Sequence, residues 1–448
     1  MFQFLKRKQG SKVFVISIDG VPFSFMQEQI EKGRFPNFKR LLQSGDFKRM
    51  NSVQPVISSV AWSSYMTGKN PAKHNIFGFV DQKPGTHDVY IPTAANMTSD
   101  TIWEIMSRAG KKVFVMNVPV TYPPRPVNGI MIGCFLCTQI EKIASPASVA
   151  NELKQMGYKI DADAWIARED LDRFLDEVNL ALEKRVEALF RFLEREDWDF
   201  FQTHIMETDR MNHFFWEHME HDDPKYARAF FEFYDRVDEV LGEVERKIGE
   251  DAEFIVLSDH GFCTIKKEIY LNTYLVDAGL LKFSQWPPKD LNDLHPESVA
   301  YSLIPGRVFI NLKGREPKGS VPPERYEATR EKVQDTLLSL KDRDTGEPLI
   351  REVLKREEVY EGQNFQAAAD LIAVPHDGFD LKGNVNKEVF GEKGPLVGMH
   401  TYEDSLLYIR NRTLSRGHNE IWVGDLAPTI LNLMNVPVPS DMDGVSLV

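Results

Sequence analysis

The strongest constraint on the fold is an alternation of short apolar runs with long amphipathic stretches. Lys12-Val-Phe-Val-Ile-Ser-Ile-Asp19-Gly20 reads as a buried strand ending in a carboxylate and a glycine. Residues 112–117, 198–204 and 252–259 read as three further strands. Helix-like segments precede them, most clearly residues 180–194, where apolar side chains recur at helical spacing with charges between. Another helical stretch follows Gly20 and is continued by residues 36–42. Strands alternating with helices predict an α/β fold, a three-layer α/β/α sandwich with a mostly parallel central sheet. Such sheets bind ligands beyond the carboxyl ends of their strands. Asp19, Asp209 and the pair Asp259-His260 end or closely follow three of the runs, so these groups are expected on one rim.

After Gly261 the pattern changes. Residues 265–395 contain Pro-rich turns (Trp286-Pro-Pro, Val321-Pro-Pro), a short strand at 307–311 and a helix near 324–341. They are expected to form an inserted cap, partly core, over a catalytic core of residues 10–264 and 396–448, and a role in oligomerisation stays open. Residues 405–409 resume as a strand. The segment Asp425-Leu-Ala-Pro-Thr-Ile is expected to start a helix, with Asp425 as N-cap and Pro428 in the first turn. At 448 residues and 42% hydrophobic, the chain suits one large domain with insertions, or two domains.

A net charge of −13 argues against a nucleic-acid polymer or an anionic lipid surface as partner. A small phosphorylated substrate stays open, because bound metal ions reverse the local potential. Cys134, Cys137 and Cys263 support no disulfide framework, and the C-x-x-C pair has no second pair to complete a zinc site. The N-terminus reaches Lys6-Arg7-Lys8 without an apolar signal core, and the 13–18 run is far shorter than a membrane span. No transmembrane segment and a cytoplasmic location are therefore expected.

Asp259-His260-Gly261 closes an apolar strand with two metal-capable groups, which costs stability unless they serve a site. The pair suits zinc or manganese. Asp209 and His213 are four apart, on one face of a helical turn, as two ligands or as an ordinary ion pair. Asp19 alone could cap a turn. His400 precedes a late strand, and His418 is its rival. Residues 59–66 read as a helix capped by Gly68, which puts Ser58 at the helix N-terminus, as an N-cap or as a nucleophile favoured by the helix dipole.

The order of these motifs resembles the alkaline phosphatase superfamily, and within it the type I phosphodiesterase / nucleotide pyrophosphatase branch. The likeness extends through Thr67-Gly-Lys-Asn-Pro-Ala-Lys-His74, Pro305-Gly-Arg-Val-Phe-Ile-Asn311, the Asp425 segment and Met442-Asp-Gly. It implies an alkaline phosphatase-like fold and two divalent metal ions, zinc or alternatively manganese. It implies Asp209, His213 and His400 as ligands of one ion, and Asp19, Asp259, His260 and the Ser58 oxygen as ligands of the other. It implies Ser58 as the nucleophile that becomes phosphorylated, with Ser59 the neighbouring alternative, and His74 as structural. Val60 and Ala61 depart from the proline and asparagine many members carry after the nucleophile. A sulfatase reading is disfavoured, because Val60 and Trp62 stand where sulfatases have proline and arginine.

The implied reaction is metal-dependent hydrolysis of a phosphodiester or pyrophosphate bond. No arginine lies between Arg49 and Ser107 to clamp a terminal phosphate, which favours diesters, although Arg307 could fill that role. A phosphomonoesterase or phosphotransferase on the same fold, or an inactive scaffold, are the alternatives. Trp62, Phe77, Phe79 and Trp216 are candidates to stack on a base.

Overall fold

The computed structural model describes residues 12–385, 388–416 and 420–448. The N-terminal reading and His418 lie outside these residues. An eight-stranded sheet runs in the order Gly45–Met50, Ser405–Arg410, Ala252–Leu257, Lys12–Ile18, Phe200–Ile205, Val113–Met116, Gly129–Ile132, Ala144–Ser145. The five strands from Ala252–Leu257 to Gly129–Ile132 are mutually parallel, and antiparallel strands flank them on both sides.

The layers follow from the period-two alternation of strand side chains. In the first strand, Phe14, Ile16 and Ile18 join one apolar cluster, with helices Leu171–Arg195, Glu207–Glu220 and Tyr226–Ile248. Val13 and Val15 join the other, with helices Ser58–Thr67, Ile102–Arg108 and Leu426–Leu433. Both faces are covered, which is why the central strands are buried along nearly their whole length rather than on alternate residues. Among the described residues, no helix is long and apolar enough to cross a membrane.

The stretch after Gly20 is broken rather than continuous. It forms helices Phe23–Glu31 and Pro36–Leu41, because Phe35 takes a left-handed conformation (φ 54°) and Pro36 has no N–H to continue the ladder. Asp425 precedes helix Leu426–Leu433 but does not cap it with its side chain. Its carboxylate accepts from the N–H groups of Trp422 and Val445, both at 2.9 Å, and so ties the returning C-terminal tail to the helix start.

Beyond Gly261, strands Ala300–Leu303, Arg307–Ile310, Leu371–Pro375 and Ile350–Lys355 form an antiparallel sheet with helix Tyr326–Leu338 and an apolar cluster of their own. One short ladder matters for the site. Gly261–Thr264 pairs antiparallel with Gly398–Thr401, with Phe262 opposite His400. A residue 140 positions later is thereby laid beside His260.

Candidate active site

Strand register sets the site's position. Ile18 is level with Ile205, and Ser17 with Leu257, so three neighbouring strands end together. Asp19 follows the first strand, Asp209 sits in the first turn of the helix after the second, and Asp259-His260 follows the third. Gly20 makes the turn with φ +65°. A Cβ there would stand 3.0 Å from both His260 and Phe262, so both backbone and space require glycine.

Two groups of ligand-type atoms converge on this rim. In the first, His260 Nε2 lies 3.4 Å from Asp19 Oδ1, 3.4 Å from Asp259 Oδ2 and 3.1 Å from Ser58 Oγ. Ser58 Oγ is also 3.3 Å from Asp19 Oδ1. In the second, His400 Nε2 lies 3.0 Å from His213 Nε2 and 3.2 Å from Asp209 Oδ1, which is 3.3 Å from His213 Nε2. Atoms bound about 2.0–2.1 Å from a tetrahedral zinc ion stand roughly 3.3 Å apart, so both spacings suit such an ion. Asp259 Oδ2 is buried without a hydrogen-bond partner, an expensive state that a cation would relieve. The groups Asp19, Asp259, His260 and Asp209, His260, His400 are each compact enough to hold a metal.

The three histidines share one arrangement. Nδ1 of His213 faces Gly398 O at 2.8 Å, that of His260 faces Gly261 O at 3.0 Å, and that of His400 faces Val56 O at 3.4 Å. Anchoring Nδ1 on a carbonyl leaves the Nε2 lone pair free for an ion, a common support for metal-binding imidazoles.

The electrostatics describe a site crowded with negative charge. Burial, reinforced by the charge on Asp19, pushes the Asp259 carboxyl well above the usual carboxylate range. Burial also acts to raise Asp19, but the imidazoles of His204 and His260 beside it outweigh burial and hold that carboxyl low. For Asp209 the charge and hydrogen bond of His213 likewise outweigh burial. Burial lowers His260, yet Asp259 and Asp19 override it and push its pKa up to about 9. Burial and the charge of His260 push His400 down to about 4.

Ser58 is the first residue of helix Ser58–Thr67, whose N-cap is Ile57. Its hydroxyl therefore caps nothing and faces Asp19 and His260. Ser59 turns away and donates to Gly78 O at 3.0 Å. His74 is fully buried, with Nε2 at 3.1 Å from Ser64 Oγ, and burial pushes its pKa down to about 3. That is a packed, neutral histidine away from the rim.

Several expected substrate contacts do not occur. Arg307 is 2% exposed, and Nη1 donates to Asp81 Oδ1 at 2.6 Å while Nε donates to Ile304 O at 3.0 Å. It braces the cap and offers no fork to a phosphate. Trp62, Phe77 and Trp216 are buried in the protein. Of the four aromatic candidates only Phe79 lines the cavity beside Ser58, nearly parallel to Phe135 with centroids 6.4 Å apart. This cavity has a volume of about 470 Å³ and is lined also by Ile304, Val374, His376 and Leu381.

Two neighbours of the site escape the sequence reading. Arg210 Nε and Nη2 donate to the two oxygens of Asp161, and Nη1 to Asp209 Oδ2. His204 lies 3.1 Å from Asp19 Oδ2. Only its place at the end of an apolar run, level with Ser17, hinted at the latter.

A family model for type I phosphodiesterase / nucleotide pyrophosphatase matches residues 13–403. No curated protein matches the sequence. Among solved structures, phosphonoacetate hydrolase from Sinorhizobium meliloti 1021, in complex with phosphonoacetate, superposes with a TM-score of 0.64 at 17% identity, covering 96% of each chain. Human ectonucleotide pyrophosphatase/phosphodiesterase 5 gives 0.57 at 16% identity over 97% of each chain. The murine protein gives 0.56 at 15% identity over 96% of each. At such identities these likenesses speak to the fold.

Proposed function

The chain belongs to the type I phosphodiesterase / nucleotide pyrophosphatase family, hydrolases of phosphoric ester bonds, and from this we propose that it cleaves phosphodiesters or pyrophosphates through Ser58. The observation carrying this reading is the Ser58 hydroxyl, at the first turn of its helix, 3.3 Å from Asp19 and 3.1 Å from His260. Asp19, Asp259, His260 and Ser58 would hold one divalent ion, and Asp209, His213 and His400 the other. The donor set suits zinc, with manganese the alternative. When bound, the ions supply positive charge to the phosphoryl oxygens and acidify the serine hydroxyl.

Ser58 Oγ forms a bond to phosphorus as the bond to the ester oxygen breaks, and the serine proton ends on the departing alcohol. Water then displaces the serine from phosphorus, and Ser58 regains its proton. The helix N-terminus behind Ser58 favours the negative charge of both the phosphoryl group and the serine oxygen. His260, His213 and His400 keep their orientation through the carbonyls on Nδ1, so little reorganisation accompanies the reaction.

Diesters are favoured over monoesters by the arginines. All three nitrogens of Arg210 are engaged by Asp161 and Asp209, and Arg307 is spent on Asp81. Arg307 offers no clamp for the extra charge of a terminal phosphate, and the arginines that line the cavity, Arg210 and Arg351, are each already paired with two carboxylates. Residues 265–395 act in this reading as a cap, because Ile304, Val374 and His376 wall the cavity. Three free cysteines accord with a reducing, cytoplasmic compartment.

The test is hydrolysis of an aryl phosphodiester and the matching monoester by metal-stripped protein resupplied with zinc or manganese. Metal-dependent diester turnover that falls by at least ~10³-fold in Ser58→Ala is expected. Undiminished turnover in that variant would overturn the serine mechanism, and a monoester preference would overturn the diester assignment.

A further inference from the structure

Behind Asp19 lies a line of fully buried polar side chains that the proposed chemistry does not use. Tyr65 Oη donates to Gln202 Oε1 at 3.1 Å, and Gln202 Nε2 donates to Ser17 Oγ at 3.5 Å. Ser17 Oγ stands 3.0 Å from His204 Nδ1, and His204 Nε2 lies 3.1 Å from Asp19 Oδ2. Tyr65, Gln202, Ser17, His204 and Asp19 are each 0% exposed. Trp62, also 0% exposed, donates its indole N–H to the same Asp19 Oδ2 at 3.0 Å.

The Gln202 amide gives a hydrogen to Ser17 Oγ, and the Ser17 hydroxyl has two acceptors within reach, Thr203 O at 3.3 Å and His204 Nδ1 at 3.0 Å. An imidazole that accepts at Nδ1 carries its own proton on Nε2. The Nε2 edge of the ring rests against Asp19 Oδ2 at 3.1 Å, a close contact that is not aligned as a hydrogen bond. Trp62 supplies the aligned donor on the same oxygen, at 3.0 Å. With Oδ2 bracketed from behind by the rings of His204 and Trp62, Oδ1 faces Ser58 and His260. A buried line of this kind is costly if left half-satisfied, and fully satisfied it fixes one rotamer.

We propose that His204, oriented by Ser17 and Gln202 and assisted by Trp62, is a positioning residue that presents Asp19 Oδ1 to the ion shared with Ser58. The inference rests on the function proposed above, since it needs Asp19 to be a ligand. Its distinguishing consequence is that one of the two ion sites depends on His204 and the other does not.

The experiment is zinc binding to metal-stripped, full-length protein by chelator competition, with aryl diester turnover in parallel. Wild type is expected to take up two ions. His204→Leu is expected to weaken one of them by about 10–100-fold and leave the other unchanged, the usual range for losing a ligand's hydrogen-bonded support. kcat should fall with little change in KM. His204→Gln, whose amide N–H reaches a similar position, should recover most of the affinity, which a merely space-filling role would not predict. A folded His204→Leu with wild-type affinity at both sites would overturn the proposal. Should that variant not fold, Ser17→Ala carries the test, because it removes only the hydroxyl that orients the imidazole, and unchanged affinity there overturns the proposal equally. Wild-type protein that binds no zinc or manganese would instead overturn the metal reading itself.

Discussion

At the scale of single residues, what a buried polar side chain does is set by the partner that holds it. Asp259 and His260 stand out because two polar groups close an otherwise apolar strand. Arg307 looked equally purposeful, yet its guanidinium is spent on Asp81, a partner 226 positions away. A sequence shows that an arginine is present but not which acceptor reaches it first. The distinction is testable. Breaking a buried ion pair leaves an uncompensated charge and costs about 3–5 kcal/mol. Arg307→Ala is therefore expected to lower urea stability by roughly that amount, while KM for a diester stays near wild type in the fraction that folds. A large rise in KM without loss of stability would return Arg307 to the substrate. Trp62 makes the same point. Its indole was a candidate stacking platform, but the structure buries it and points its N–H at Asp19.

At the scale of elements, the helix bearing Ser58 shows how local rules place a reactive group. Helix Ser58–Thr67 ends at Gly68 in the left-handed conformation, with φ 68°, and the Gly68 N–H returns to Ser64 O. The Gly68 carbonyl accepts from the N–H groups of Asp443 and Gly444, so this cap also anchors the C-terminal tail. A side chain at Gly68 would meet Met442 Sδ at 2.9 Å in addition to the left-handed backbone cost. Gly68→Ala should therefore lose about 1–2 kcal/mol in chemical denaturation. An unchanged midpoint would mean that the helix end relaxes freely and does not fix the position of Ser58. The break before Pro36 was equally local in cause, and the missing N–H of Pro36 was there to be read in the sequence. The failed cap at Asp425 was not, because Asp425 is claimed by the N–H of Val445, 20 positions away.

At the scale of the whole molecule, the rim gathers three buried carboxylates within a chain already at −13. Arg210 is the arginine in contact with one of them, through Asp209. A group of this kind repels itself when empty and is stabilised by cations, so ion binding should be visible as folding stability. At free zinc about a hundredfold above Kd, each site adds roughly 3 kcal/mol. Stripping metal with a chelator is expected to lower Tm by several degrees, with recovery on adding zinc or manganese. A Tm insensitive to chelation and resupply would count against ions at this rim. The cap is the other whole-molecule feature. Its sheet is built on a separate apolar cluster, and it meets the core across the cavity rather than continuing the main sheet.

The sequence alone determined what depends on neighbours along the chain. Hydrophobic periodicity gave the strands and helices, glycines and prolines gave the breaks, and alternation gave a parallel sheet whose rim must carry Asp19, Asp209 and Asp259. Tertiary structure alone decided what depends on distant partners. It turned Ser58 toward His260 and Ser59 toward Gly78, and it brought His400 beside His213 through a ladder that pairs it with Phe262. It also removed Arg307 from the cavity and aligned Tyr65, Gln202, Ser17 and His204 behind Asp19. The physical reason is range. Backbone preference and amphipathicity act over a few residues and leave their mark in local order. The direction of a buried polar group is set by the nearest complementary group in space, and only the folded chain specifies which group that is.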